Sequence, residues 1–335
     1  MSEAAHTLAP WLEQQRQTLL AQRGHAWLLQ GPSGMGQFEL AMSLVRTWLC
    51  EHPSQQGACG HCSSCHSIGV HAHADLCVLM PEVQMLERGW PLSEKAQSDI
   101  DDKKRKPSKE IRVDAMRDAV EFTQRTSARG KGKAVLVYPA EQMNAVTANA
   151  LLKTLEEPPG DVRFVLATEA AHLLLPTIRS RCLAHTMVWP QAAQMQQWLQ
   201  SHGLSADEAQ TWLRAAGGRP MDAWAMAQSG RGLEVFARLP QAVAKGDASL
   251  FADMSPAQIV QWLQKLCHDL MCVAQGAEPR YFAAQDLPQP PSAMVLARWA
   301  KSLAQEARTA EHPFNAGLMT EALLAQARTV LQAKR

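Results

Sequence analysis

The stretch from His25 to Val45, "HAWLLQGPSGMGQFELAMSLV", decides the fold. An apolar run enters Gly31-Pro32-Ser33-Gly34-Met35-Gly36, and a segment with apolar residues at three and four spacing leaves it. That is the strand, glycine-rich loop and helix of a phosphate-binding loop. The pattern G-x-x-x-x-G-K-[ST] then calls for a lysine and a hydroxyl, but this chain supplies Gln37 and Phe38. In a working loop the backbone N–H groups cradle the phosphates, the lysine neutralises β/γ charge and the hydroxyl holds Mg²⁺. Gln37 has no charge and Phe38 cannot ligand a metal. A polyphosphate would be left with a helix N-terminus worth only about half a charge. The degenerate loop Gly31, Gly34, Gly36, Gln37 and Phe38 is therefore expected to hold no ATP.

Working outward, short apolar runs alternate with helical patterns through the first half, the signature of a parallel α/β sheet. The strand candidates are residues 25–30, 74–80, 134–138 and 163–168. Helices are expected at "FELAMSLVRTWLC" and "VTANALLKTLEE", the latter stopped by Pro158 and Pro159. After about Pro190 the strands cease, and segments such as "SADEAQTWLRAAGG" and "SPAQIVQWLQKLCHDLMCVAQG" carry the periodicity of amphipathic helices. Gly217-Gly218 reads as a helix break and residues 228–232 as a linker. Residues 91–112 are dense in charge and almost devoid of apolar side chains, so a mobile loop is expected over about 91–110. Its Lys103-Lys104-Arg105-Lys106 run reads either as a solvated face or as a contact for DNA phosphates.

A chain of 335 residues, 46% hydrophobic, has material for about two or three domains with real cores. Thirty-three basic residues against 32 acidic ones give no overall electrostatic case for coating nucleic acid or an anionic membrane. No apolar run approaches the roughly 20 residues of a membrane span, and the N-terminus lacks the pattern of a signal peptide. The expectation is a cytoplasmic protein with no membrane partner. Eight cysteines in a reducing compartment then suggest metal or buried thiols before disulfides.

Four of those cysteines are close together. Cys50, Cys59, Cys62 and Cys65 follow the spacing C-x8-C-x2-C-x2-C within "CEHPSQQGACGHCSSCHSIG". A C-x2-C pair brings two thiolates to one ion through a tight turn, and four complete a tetrahedral shell with no open position, so a structural Zn²⁺ is expected. His61, His66, His71 and His73 are nearby alternatives. Cys77, Cys267 and Cys272 read as core residues.

The strand "AVLVY" in an ATPase of this layout would end in acidic residues that hold Mg²⁺, yet it runs into Pro139 and Ala140, with Glu141 one step beyond. Two positions thus depart from nucleotide chemistry. With "NALLKTLEEPP" (149–159), "FVLAT" (164–168), "PTIRSRC" (176–182) and the cysteine module, the chain resembles the bacterial clamp-loader subunits of DNA polymerase III through its first 190 residues. Gln37 and Phe38 favour the delta-prime branch, because gamma/tau subunits retain lysine and threonine in the loop. The resemblance implies an AAA+ architecture: a RecA-like α/β domain over 1–188 with a zinc module at about 50–66, an all-α lid over 189–232, and an all-α collar over 233–335. It implies a stator that hydrolyses no ATP, assembled with gamma/tau and delta subunits, helping to load a sliding clamp on primer-template DNA. It assigns Arg181, flanked by Ser180 and Cys182, as an arginine projecting to a neighbour's nucleotide, with Arg179 as a substitute. Met221 falls where relatives that bind ATP carry a sensing arginine, Arg219 is displaced by two residues, and Thr168 matches a first sensor position. An active ATPase and a zinc-bearing nucleic-acid binder stand as alternatives; the second is disfavoured by neutral charge and 6% aromatic residues.

Overall fold

Runs that are apolar without alternation form strands covered on both faces, and these runs build a parallel sheet. The computed structural model describes residues 8–230, 232–310 and 315–333. The first seven residues, and Arg231 of the expected linker, lie outside the described residues. In chain order the first half comprises α1 (Pro10–Leu20), β1 (Ala26–Gln30), α2 (Gln37–Leu49), α3 (Ser63–Gly69), β2 (Leu76–Leu79), α4 (Glu82–Glu87), α5 (Glu94–Asp101) and α6 (Val113–Gln124). There follow β3 (Lys133–Val137), α7 (Ala145–Glu156), β4 (Val162–Thr168), α8 (Pro176–Arg179) and β5 (Leu183–Thr186).

The sheet order is β2-β3-β4-β1-β5, all pairs parallel, with Leu28 opposite Leu166 of β4 and Ala184 of β5. Leu28, Val135, Val137, Phe164 and Leu166 share one core with Met116 and Ala119 of α6 and Leu151 and Leu155 of α7. Their alternates Leu29, Leu136, Val165 and Ala167 are also fully buried. Every strand is parallel, so all carboxyl ends emerge at one edge, where ligands of open α/β sheets bind. The four expected strands fall within two residues of those observed.

The fifth strand was not expected. In β5, Leu183, Ala184 and Thr186 are exposed at the sheet edge, so "LAHT" carries no buried pattern and takes its conformation from pairing with β1. The expected mobile loop over 91–110 also needs correction, since it contains α5. That helix buries no residue; Ser93 caps it by accepting from the Ala96 amide at 3.3 Å. Beyond it, Arg105 holds both carboxylate oxygens of the buried Glu82 at 2.5 and 2.8 Å, and Glu82 also accepts from the Ser108 amide at 2.8 Å. Capping and a charge-assisted pair order what apolar burial alone does not. Two bases of the Lys103–Lys106 run are thereby engaged, Arg105 with Glu82 and Lys104 with Asp102.

The chain divides into two compact units, Met1–Gln194 and Met195–Arg335. The second is helical: α9 (Ala192–Ser201), α10 (Ala206–Ala215), α11 (Pro220–Gln228), α12 (Leu233–Lys245), α13 (Pro256–Ala274), α14 (Ala293–Thr309) and α15 (Ala316–Leu331), α9 beginning just before the division. One apolar cluster holds Leu199, Trp212, Leu213 and Ala223 together with Phe236, Val243, Leu263, Trp299 and Leu323. The break between α10 and α11 is made by Gly217 and Gly218, at φ 66° and 81°. A Cβ on Gly217 would lie 2.8 Å from the Tyr281 ring, so its lack of a side chain is required twice over. Cys267 is buried as expected, but Cys272 is only half-buried, beside His268 rather than in the core. No helix among the described residues is long and apolar enough to cross a membrane.

Asp75, just before β2, is fully buried and accepts from the Ser127 hydroxyl at 3.0 Å and the Ala128 and Arg129 amides at 2.7 and 2.9 Å. Burial opposes its charge, yet these donors and nearby Lys133 prevail and hold its pKa below the usual carboxylate range. A depressed folded pKa contributes stability in full above the unfolded value near 4, and that contribution is lost as pH falls through the folded value. Asp75→Asn is expected to cost about 2–4 kcal/mol in urea unfolding at pH 7, with the gap to wild type closing in acid. Equal stability at neutral pH would contradict this role.

Candidate functional site

At the carboxyl end of β1 the loop turns into α2 through Gly36, whose φ of 94° suits a residue without a Cβ. The Gly31 amide donates to the Thr168 carbonyl at 3.3 Å, and the Trp11 indole donates to the Met35 carbonyl at 3.2 Å. Gln37 is only 2% exposed and folds back on the loop: its side-chain amide donates to the Gly31 carbonyl at 2.9 Å and the Pro32 carbonyl at 2.7 Å. The residue standing where a lysine would reach outward instead satisfies the loop's own acceptors.

Phe38, in place of the metal-binding hydroxyl, packs its ring 5.2 Å from that of Tyr138. The Arg88 guanidinium lies over both rings, at 4.2 and 5.3 Å, and 3.8 Å from Glu39. The Tyr138 hydroxyl donates to Glu169 at 2.8 Å, and burial with that carboxylate pushes its pKa up. Here the cation is held by aromatic faces and a carboxylate. Nothing local in the sequence marks Arg88, which reaches the loop from the end of α4.

At the end of β3, Pro139 and Ala140 provide no ligand. Glu141 turns inward, accepting from the Thr168 hydroxyl at 2.6 Å and the Glu169 amide at 3.0 Å. The expected sensor threonine is fully buried and has its hydrogen bonds met by a residue of its own chain. In the second unit, Arg219 donates to the Ala216 carbonyl at 2.9 Å and lies 3.0 Å from Asp222, while Met221 is half-buried on α11.

Arg181 follows the single turn of α8. Its Nε donates to Glu156 at 2.6 Å, its Nη2 donates to the same carboxylate oxygen, and its Nη1 donates to the Thr177 carbonyl at 2.8 Å. Ser180, the C-cap of α8, also donates to Thr177, at 3.2 Å. Arg179 is exposed, with no side-chain partner among the described residues. Burial pushes the Cys182 thiol up to about 12, so it is no nucleophile at neutral pH.

The fold brings Cys50, Cys59, Cys62 and Cys65 together, from the end of α2 to the start of α3, with their sulfurs all within 4.8 Å of one another. The separations Cys50–Cys65, Cys50–Cys62 and Cys59–Cys65 are 3.7, 3.9 and 4.0 Å. A tetrahedron with Zn–S bonds of about 2.3 Å has edges of about 3.8 Å, so this donor set fits zinc. Burial raises the Cys50 and Cys65 thiols, whereas Cys62, against burial, is lowered to about 6 by hydrogen bonds from backbone and neighbouring thiols. Four thiolates this close together would need a cation among them to coexist. Amides of Cys59 and Cys65 donate to the sulfurs of Cys50 and Cys62 at 3.2 and 3.4 Å, as outer-sphere support of a metal would. Among the described residues, His61, His66, His71 and His73 do not join the cluster; His71 stacks on Trp90 instead.

Residues 10–188 match the family model described as DNA polymerase III, delta subunit. The chain is 38% identical to DNA polymerase III subunit delta' of Pseudomonas aeruginosa over 61% of its own length, spanning 56% of that relative. It is 33% identical to DNA polymerase III subunit delta' of Escherichia coli, with 80% of this chain and 77% of the relative covered. A solved structure of a gamma subunit-related protein of DNA polymerase III from Thermotoga maritima superposes with a TM-score of 0.51 at 18% identity, covering 96% of this chain and all of that one, which bears on the fold alone.

The cysteine geometry leads to a direct measurement. Protein purified without chelator should contain about one zinc per chain by elemental analysis, and Cys62→Ser should lose it with a lower melting temperature. Protein carrying no zinc under those conditions would end the assignment.

Proposed function

This chain belongs to the DNA polymerase III delta-prime family, and from that premise we propose that it is a clamp-loader subunit that lends an arginine to a neighbour's ATP and hydrolyses none itself. The carrying observation is the Gln37 side chain, buried and bonded to the loop's own carbonyls where an ATP-binding relative needs an outward ammonium. Phe38, Tyr138 and Arg88 in contact beside it, and Glu141 on Thr168, agree with a site closed upon itself. Such a loop remains because β1, the turn and α2 belong to the core, and because partners dock on an ATPase-shaped body.

The chemistry is then performed next door. In phosphoryl transfer from ATP held by a gamma/tau subunit, charge spreads over the equatorial oxygens of the moving group. A guanidinium offers a planar fork of donors for that charge, and supplying it across a subunit boundary ties hydrolysis to assembly. Arg181 is the residue in this role. Residues 189–232 form the lid, and residues 233–335 form the collar that closes one position in an assembly with gamma/tau and delta. ATP binding lets that assembly hold an opened sliding clamp at a primer-template junction, and hydrolysis releases the clamp on DNA. A bacterial replication subunit works where the chromosome is, in the cytoplasm. The four cysteines would hold a structural zinc that cross-links the end of α2 to α3 and leaves no position open for substrate.

Two measurements bear on the reading. Calorimetry of the isolated chain with Mg-ATP should show no binding in the micromolar range; micromolar capture would refute the closed site. In a complex reconstituted with gamma/tau and delta, Arg181→Ala should lower DNA-stimulated hydrolysis and clamp loading on the order of tenfold or more. Unchanged loading by a fully assembled complex would remove the trans-arginine.

A further inference from the structure

We infer that Glu156 is the positioning residue of Arg181, bracing one edge of the guanidinium so that the opposite end is presented to a neighbour's phosphates; this rests on the trans-arginine reading above. A guanidinium has five N–H donors in one plane. In this chain the side-on pair, Nε and Nη2, is spent on a single oxygen of Glu156, and one Nη1 donor is spent on the Thr177 carbonyl. That leaves one N–H of Nη2 with no bond among the described residues and one N–H of Nη1 that donates only at the long distance of 3.5 Å to the Ser180 hydroxyl, on the two nitrogens that grip a phosphate end-on.

The brace transfers rigidity from a long element to a short one. Arg181 follows α8, a helix of four residues, too short to fix a long side chain by itself. Glu156 ends α7, a twelve-residue helix anchored through fully buried Leu151 and Leu155 and stopped where Pro158 and Pro159 follow. Its carboxylate stands at a helix C-terminus, where the backbone dipole disfavours negative charge. A residue that breaks a local rule calls for a compensating contact, and Arg181 is that contact. Glu156 is 47% exposed and Arg181 30%, so the pair is held at the surface, open to an approaching ligand. Without the brace the arginine would have to be ordered during the reaction, at the expense of the transition state.

The test is a double-mutant cycle in the reconstituted complex, with assembly checked by size-exclusion chromatography. Glu156→Ala should lower kcat of DNA-stimulated ATP hydrolysis by about three- to tenfold with little change in KM for ATP. Glu156→Gln, which keeps an acceptor without the charge, should fall between. On an Arg181→Ala background, Glu156→Ala should have no further effect, because Glu156 acts through Arg181. An unchanged or raised kcat in Glu156→Ala, or an equal loss with and without Arg181, overturns the brace. If Arg181→Ala is itself silent, the underlying trans-arginine reading fails instead.

Discussion

Burial of β1, β3 and β4 on both faces is the constraint from which the rest of the first unit follows. Helices must cover each side of such a sheet, so every strand is joined to the next through a helix, and all carboxyl ends collect at one edge. The loop from Gly31 to Gly36 lies at that edge because β1 is buried between β4 and β5. Its carbonyls need partners whether or not a nucleotide is present, and Gln37 supplies them. The core retains the shape of the loop, while the Gln37 amide and the Phe38 ring fill the two positions at the start of α2 with contacts inside the chain.

The same logic of internal satisfaction recurs around the sheet edge. Glu141 meets the hydrogen bonds of Thr168, and Glu169 accepts from Tyr138. On the cysteine module, Glu51 accepts from the Ser63 hydroxyl at 2.9 Å and the Ser64 amide at 3.1 Å, and Arg129 reaches it at 3.0 Å. The backbone of Arg129 is held in turn by Asp75, so one arginine ties the cysteine module to the turn that opens β2. Polar groups in low dielectric are costly when unpaired, and here each donor and carboxylate fixes the next.

Much of the first unit was legible in its residues. Fully buried strands read as apolar runs, and spacing alone brought Cys50, Cys59, Cys62 and Cys65 forward as one ligand set. β5 was not legible, because an exposed edge strand has no burial pattern and is created by pairing with β1. α5 was missed because a count of apolar residues ignores a capping serine and an arginine held by Glu82, 23 positions away. Cys272 looked like a core residue from helical spacing, which cannot distinguish the centre of an apolar face from its margin.

Residue identity by itself determined that no ammonium follows Gly36, that four thiols share a ligand spacing, and that a half in which strands alternate with helices precedes a helical half, because each of these is a local property of neighbouring side chains. Only the tertiary structure decided where the Gln37 amide points, that Arg88 lies over Phe38, and that Glu156 takes one edge of Arg181. The first depends on how the turn closes over five and six residues, and the other two join residues 50 and 25 positions apart that only the packing of helices against the sheet brings within a few ångströms.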